Sequence, residues 1–341
     1  AELSGIASSR NNPGVLWVHN DRSRDKLYAV STNGQLLATY SLSKEVSDFE
    51  DLAIGPGPSP ELQYLYCGDI GDNAVTRTSI RVYRAAEPAV YPYLAANLPS
   101  QNFPLVDRIT LLYPDGSHNA ETLMVDPLTG DLYIATKQVG VSRLYRAERA
   151  QLQDGATVTL TFVMELDFHE ASAGDLSADG LEILLRQENF AKIWPRQPGQ
   201  SIAEALAGTP IDVPVIGMPI EPNGEGVAFH GGGLGYYTVS EGLQPALYFF
   251  ARTGIPPAAQ PRKSSTHAAA ERRRGGPANL SAPSDSAARN CRSKLKSPSL
   301  WERRCTSTAM VLVPARRRFA IVNVCQRFSS EPPEPRASSE K

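Results

Sequence analysis

A chain of 341 residues, 41% hydrophobic and with a formal net charge of −2, is long enough for two average domains or one large β domain. It has no run of 18 apolar residues that would cross a membrane as a helix. No signal-peptide pattern stands at its start either, where Ala1-Glu2-Leu3-Ser4-Gly5 already reads as strand. The small net charge hides a division. Residues 252–341 hold 18 Lys+Arg and 6 Asp+Glu, leaving 16 of the 34 basic and 30 of the 36 acidic residues in 1–251. Such a split predicts two segments with different physical roles.

In chain order, the acidic segment repeats one phrase. The first unit opens weakly at 5–9 and continues with strands at 15–19, 26–30 and 35–42. The second opens on Asp51-Leu52-Ala53-Ile54-Gly55-Pro56, with strands at 64–67, 80–84 and 108–113; a Pro-rich insertion, 87–104, makes it the longest. The third opens on Thr122-Leu123-Met124-Val125-Asp126-Pro127 and continues at 131–136, 143–146 and 157–166. The fourth opens at 175–180 and continues at 182–186, 191–194 and 211–216. The fifth opens at 226–231 and continues at 234–239 and 246–250, with no fourth strand.

These runs are rich in Val, Ile, Tyr, Phe and Thr and are separated by turn pairs such as Asn33-Gly34, Thr129-Gly130 and Asp179-Gly180. An aromatic residue marks most third strands: Tyr28, Tyr83, Tyr145, Trp194 and Tyr248. A sandwich or two smaller β domains would share the composition, but not the same phrase in the same order. The pattern predicts an all-β fold, a β-propeller over 1–252 with about five four-stranded blades. A sixth blade stays open if terminal strands are missing. The strand absent from the fifth unit is expected from a segment before Ala1. Cys67, in Tyr64-Leu65-Tyr66-Cys67, is expected as a buried small hydrophobe. Cys291, Cys305 and Cys325 have no zinc spacing.

The first strand of each blade lines a propeller's channel, so the residues at its start are the candidate site. One aligned position holds Ser4, Glu50, Glu121, Gly174 and Glu225; the next holds Gly5, Asp51, Thr122, Asp175 and Gly226. Four of the five blades bring a carboxylate to this level, and Glu2 could add another. Clustered carboxylates bind a hard cation, take up protons, or pair with Lys and Arg. The expected metal ligands are Glu50, Asp51, Asp69, Asp72, Glu121, Asp175 and Glu225, with Ca2+ the ion that suits oxygen ligands.

Lys137 and Arg186, at second-strand ends, would either neutralise this ring or grip an anionic ligand. The cluster Asp69-Ile70-Gly71-Asp72-Asn73 reads as a cation loop or as a tight turn capped by its own Asp and Asn side chains. His19, in Trp17-Val18-His19-Asn20-Asp21, reads as a general base or as a hydrogen-bonded structural residue. No zincin motif, nucleophile elbow or phosphate-binding Gly-rich loop is present.

The phrases Glu2-Leu3-Ser4-Gly5-Ile6-Ala7, Trp17-Val18-His19-Asn20-Asp21, Asp48-Phe49-Glu50-Asp51-Leu52-Ala53 and Gly68-Asp69-Ile70-Gly71-Asp72-Asn73 resemble a group of poorly characterised bacterial propeller proteins. More distantly, they are similar to phytase-like and esterase-like propellers. The resemblance covers about 250 residues and implies a propeller exported to the periplasm or extracellular space. Its phytase-like side implies calcium and phosphoester hydrolysis.

Residues 253–341 are rich in Ala, Pro, Ser and Arg, with Arg272-Arg273-Arg274 and Arg316-Arg317-Arg318. Only 309–314 and 319–325 are apolar enough for strands. This tail reads as a disordered basic arm, an out-of-frame translation of a GC-rich gene, or a nucleic-acid segment. It lacks the aromatics of a single-strand binder, so nucleic acid is not an expected partner. The combined expectation is a monomeric propeller that binds Ca2+ at an acidic channel. A small-molecule or anionic ligand sits at its mouth, and a metal-bound water attacks a small ester or phosphoester. The alternative is a non-catalytic ligand- or protein-binding module.

Overall fold

Each of the five units closes into its own antiparallel sheet in the computed structural model, which describes residues 3–20, 25–90, 100–242, 245–253 and 318–322. Blade 1 is β1 (Leu3–Ser8), β2 (Val15–Asn20), β3 (Lys26–Ser31) and β4 (Leu36–Ser41). Blade 2 is β5 (Phe49–Pro56), β6 (Gln63–Asp69), β7 (Ile80–Ala86) and β9 (Asp107–Leu112). Blade 3 is β10 (Ala120–Val125), β11 (Leu132–Thr136), β12 (Arg143–Ala147) and β14 (Thr161–Glu165). Blade 4 is β15 (Ala173–Leu176), β16 (Glu182–Gln187), β17 (Phe190–Pro195) and β18 (Ile211–Val213). Blade 5 is β19 (Gly224–Phe229), β20 (Gly235–Ser240), β21 (Tyr248–Thr253) and β22 (Arg318–Val322).

The first strands β1, β5, β10, β15 and β19 pack each against the next, and β19 packs back on β1. Five members close this ring, which decides five blades over six. The apolar core is divided in the same way, into five clusters that each lie between two adjacent blades. Trp17 and Leu27 meet Cys67 and Tyr83 between blades 1 and 2, and Tyr66 meets Ile134 and Tyr145 between 2 and 3. Leu144 meets Leu185 and Trp194, Leu184 meets Tyr236 and Phe250, and Val239 meets Leu16 and Val18 across the last three junctions. The aromatic residue of the third strand is therefore the wedge between blades. Burying one contributes about 1.5–3 kcal/mol. Cys67 is fully buried and free, as expected of a small hydrophobe.

Two connections reach sideways. β8 (Gln101–Asn102), from the Pro-rich insertion of unit two, adds in parallel to the outer strand of blade 1. The run 157–166 is not one strand. Its first part, β13 (Thr157–Thr159), adds in parallel to β9 of blade 2, and only Thr161–Glu165 completes blade 3. Both additions cover outer edges that would otherwise expose unpaired backbone groups.

The fourth strand of blade 5 differs from expectation. It is β22, paired antiparallel with β21 from Phe249↔Val322 to Thr253↔Arg318, and not a strand from before Ala1. The sequence Phe319-Ala320-Ile321-Val322 supplies the β-branched and apolar residues that an edge strand favours. The described residues all fall in the unit Ala1–Gly254 with Ser307–Lys341. The other expectations for the tail, including Cys291, Cys305, Cys325 and 309–314, lie outside the described residues, as do Glu2 and Asp21.

Candidate binding site at the channel mouth

First strands begin, and second strands end, at one end of the channel, here called the upper mouth. Three first strands carry a glutamate there, and in each the pairing slips at that residue. The register jumps between Phe49 and Asp51, between Ala120 and Thr122, and between Gly224 and Gly226, so Glu50, Glu121 and Glu225 are each the extra residue of a β-bulge. Blade 1 slips at the same level, between Leu3 and Ile6, with Ser4 at the aligned position, whereas blade 4, where the position is Gly174, pairs without interruption from Ala173 to Leu176. A bulge bends its strand and re-aims a side chain, and bulges concentrate beside functional sites.

Two of the three glutamates reach one cation. Lys137, the residue after β11, has its Nζ 2.5 Å from Glu121 Oε2 and 3.6 Å from Glu225 Oε1, and it also feels Glu50. Burial works against its charge, but Glu121, Glu225 and Glu50 outweigh that and hold its pKa above the ordinary lysine value. Burial, followed by repulsion from Glu121, lifts the Glu225 carboxyl well above the carboxylate range against the pull of Lys137. Burial and the neighbouring Glu121 thus both favour the protonated form of Glu225, beside an ammonium held charged. The Lys137 side chain is 31% exposed, so the ammonium borders solvent at the mouth.

The next aligned position joins blades instead of lining the mouth. Asp51 accepts N–H groups from Leu52 at 2.8 Å and from Leu123 of blade 3 at 2.9 Å. Asp175 accepts from Leu176 at 2.8 Å and from Phe229 of blade 5 at 2.8 Å. Thr122 donates to Ala171 O at 3.2 Å, and Ser4, one position earlier, donates to Glu50 O at 3.1 Å. Desolvation pushes Asp51 well above the carboxylate range, with the Leu123 and Leu52 N–H groups opposing it. The same cause raises Asp175 to about 6. Both carboxylates act as staples between blades.

The remaining predicted residues are spread more widely. Asp69 is fully buried and accepts from Asp48 N at 2.9 Å and Arg77 Nη2 at 3.0 Å, with Arg81 at 3.4 Å. Asp72 accepts from Thr76 N at 3.0 Å and Arg77 N at 2.7 Å, so it caps its own turn. Arg186 is shut in. Its Nη2 lies 3.0 Å from Glu221 Oε2, both side chains are 0% exposed, and its Nη1 donates to Gly226 O and Val239 O. A side chain at Gly224 would overlap that guanidinium, which is why β19 begins on glycine.

His19 is fully buried and stacked on Phe49, with ring centroids 4.3 Å apart. Burial lowers its pKa to about 4. It packs blade 1 on blade 2 as a neutral ring. Among the described residues no three Asp, Glu, His or Cys groups stand together as a metal-ion cage. Of the seven predicted metal ligands, then, Glu121 and Glu225 pair with Lys137, and Glu50 lies beside Asp48 at Gly71. Asp51, Asp69, Asp72 and Asp175 are each engaged by backbone N–H or Arg groups.

Two features were missed. Asp48 joins Glu50 at the mouth: a Cβ on Gly71 would run into both carboxylates, and burial raises the Asp48 pKa, opposed by Arg77 and reinforced by Asp69 and Asp72. The Asp48–Glu50 spacing of two carried that signal. The second is a network in blade 3, where Tyr145 donates to Asp115 Oδ2 at 2.8 Å and shares His118 Nε2 at 3.0 Å. Gln138 stands 3.2 Å from His118 Nδ1, so both ring nitrogens have neighbours. Nothing in the local pattern announced it.

No protein-family model matches the sequence, and no curated protein matches it significantly. Among solved structures the chain is similar to one in a nidogen–laminin complex, at TM-score 0.41 and 10% identity over 74% of this chain and 76% of that one. It is also similar to a luciferin-regenerating enzyme, at TM-score 0.38 and 10% identity over 73% and 72% of the two chains. At this similarity neither bears on what the chain binds or catalyses.

Proposed function

We propose that this propeller is a ligand-binding protein that holds a cation at the upper mouth, between Glu50, Glu121 and Glu225. The carrying observation is that Glu50, Glu121 and Glu225 are each the extra residue of a bulge at one level of the channel, with two of them on the Lys137 ammonium. Lys137 then stands in for the bound cation and gives way to it. Ca2+ is the first ligand to test, because it tolerates irregular carboxylate sets once they close around it. Extracellular Ca2+ sites work at Kd values of about 10⁻⁴–10⁻³ M, which suits an exported protein.

Calorimetric titration with CaCl2 tests the proposal. K137Q removes the internal competitor and is expected to tighten binding roughly 10–100-fold, the order of one partly screened charge interaction. E121Q is expected to weaken it. No heat in either the wild type or K137Q, with unchanged melting temperatures, would sink the reading.

A second reading, hydrolysis of a small ester or phosphoester, is favoured by one observation: Glu121 and Glu225 face the same ammonium, with burial raising the Glu225 carboxyl. Such a pair can supply a general acid and a base at neutral pH. Turnover on a panel of esters and phosphoesters that disappears in E225Q would support it. Cation binding without turnover would leave the binding module.

A further inference from the structure

The lower end of the channel carries a second set of groups that the upper mouth does not use. Turns between first and second strands from four blades meet there around a cavity of about 310 Å3, lined by Arg10, Asn11, Pro56, Gln63, Pro127 and Ala178. Arg10, the one charged residue of that lining, reaches across from blade 1. Its Nη2 donates to Leu176 O of blade 4 at 3.2 Å, and a Cβ built on Gly231 of blade 5 would stand 4.0 Å from its Nη1. That Nη1 is buried and has no hydrogen-bond partner. A buried guanidinium N–H without an acceptor carries the full desolvation penalty of a charged donor, and folded proteins seldom leave one so.

The acceptors nearby are already engaged. Glu87 takes the Ser9 hydroxyl, Trp17 Nε1 at 2.8 Å and the backbone N–H groups of Arg10 at 3.3 Å and Asn11 at 3.0 Å. Asp175, which Arg10 pulls toward its ionised form, takes two backbone N–H groups. Asp126 holds Arg196 at 2.9 Å. What remains is one guanidinium with an unmet donor, on the only charged residue lining a cavity whose other walls are apolar (Pro56, Pro127, Ala178) or amide (Asn11, Gln63). That mixture, at the small end of the usual range of about 300–1,000 Å3, characterises small-molecule sites.

We propose that the lower cavity is a second ligand site, taking a small molecule through a carboxylate or phosphate group held by Arg10. The planar fork of a guanidinium matches the paired oxygens of either anion. Glu87 and Asp175 keep the surroundings from being strongly positive, so affinity rests on the geometry of that fork and not on bulk charge. The site is independent of the upper mouth.

The test uses the full chain, titrated with inorganic phosphate and separately with succinate, each against chloride at equal ionic strength. Melting temperature and the ¹⁵N-edited Arg10 Nε–H resonance are read together. At least one oxyanion is expected to shift both saturably, and the arm that responds identifies phosphate or carboxylate as the group recognised. R10Q is expected to weaken binding roughly 10–100-fold, R10K to weaken it less, and E121Q at the opposite end to leave it intact. Three results would overturn the proposal: no saturable shift with either anion, the same shift with chloride, or undiminished binding in R10Q. Should R10Q fold poorly, the wild-type resonance and R10K still decide between these outcomes.

Discussion

Asp175 gives the staples a measurable signature. Its carboxyl is lifted from 3.8 to about 6, chiefly by desolvation, with Arg10 and the N–H groups of Phe229 and Leu176 pulling the other way. A folded-state pKa above the unfolded one means that the native protein binds the proton more tightly. The contribution to stability is therefore complete below about pH 4 and is lost as pH rises through about 6. At 1.36 kcal/mol per unit, a shift of about two units corresponds to roughly 3 kcal/mol. This is an upper bound, because Asp175 retains partial solvent exposure. Asp175→Asn removes the titration and keeps an acceptor for one of the two N–H groups; the loss of the other is independent of pH and leaves the shape of the difference curve unchanged.

Urea denaturation of wild type and D175N between pH 3.5 and 8 gives the difference curve that isolates this residue from Asp48, Asp51 and Glu225. Relative to D175N, the wild type is expected to lose about 2–3 kcal/mol between pH 4 and 6 and to stay level above that. A flat difference curve, or one that rises with pH, would refute the staple's energetics. R10Q removes the charge that opposes the shift, and should move the step to higher pH.

Two further outcomes follow from the fold. R186M leaves Glu221 charged and buried, at a cost of about 3–5 kcal/mol, whereas the double variant R186M/E221M recovers much of it; a double variant as unstable as the single one would remove the ion-pair account. A chain ended after Thr253 loses β22 and exposes the backbone edge of β21, so it should melt lower and aggregate sooner than one ended after Val322. Equal melting temperatures would show that β22 adds nothing to blade 5.

The repeat was legible in the sequence because a strand's alternation and its turn residues are local. Asn33-Gly34, Thr129-Gly130 and Asp179-Gly180 fall where expected, with each glycine at φ between 71° and 79°, and the aromatic residues of the third strands fall between blades. The acidic level of the channel was legible for the same reason. What those carboxylates do was not. Asp51 finds its partner Leu123 in another blade, 72 residues on, and Asp175 finds Phe229 54 residues on. Such pairings exist only once neighbouring blades are packed.

Glu50, Glu121 and Glu225 are separated from those staples by a one-residue slip in strand pairing, which belongs to two strands at once and leaves no mark on either alone. The closing strand is a similar case: Phe319-Ala320-Ile321-Val322 has strand composition, yet only the open edge of β21 gives it a place. Local sequence thus determined the repeated four-stranded blade and an acid-rimmed channel, and the closed ring of first strands decided five blades. Tertiary structure decided which acids hold the blades together and which two meet on Lys137, because that choice rests on long-range register and packing, and a chain's own periodicity does not contain them.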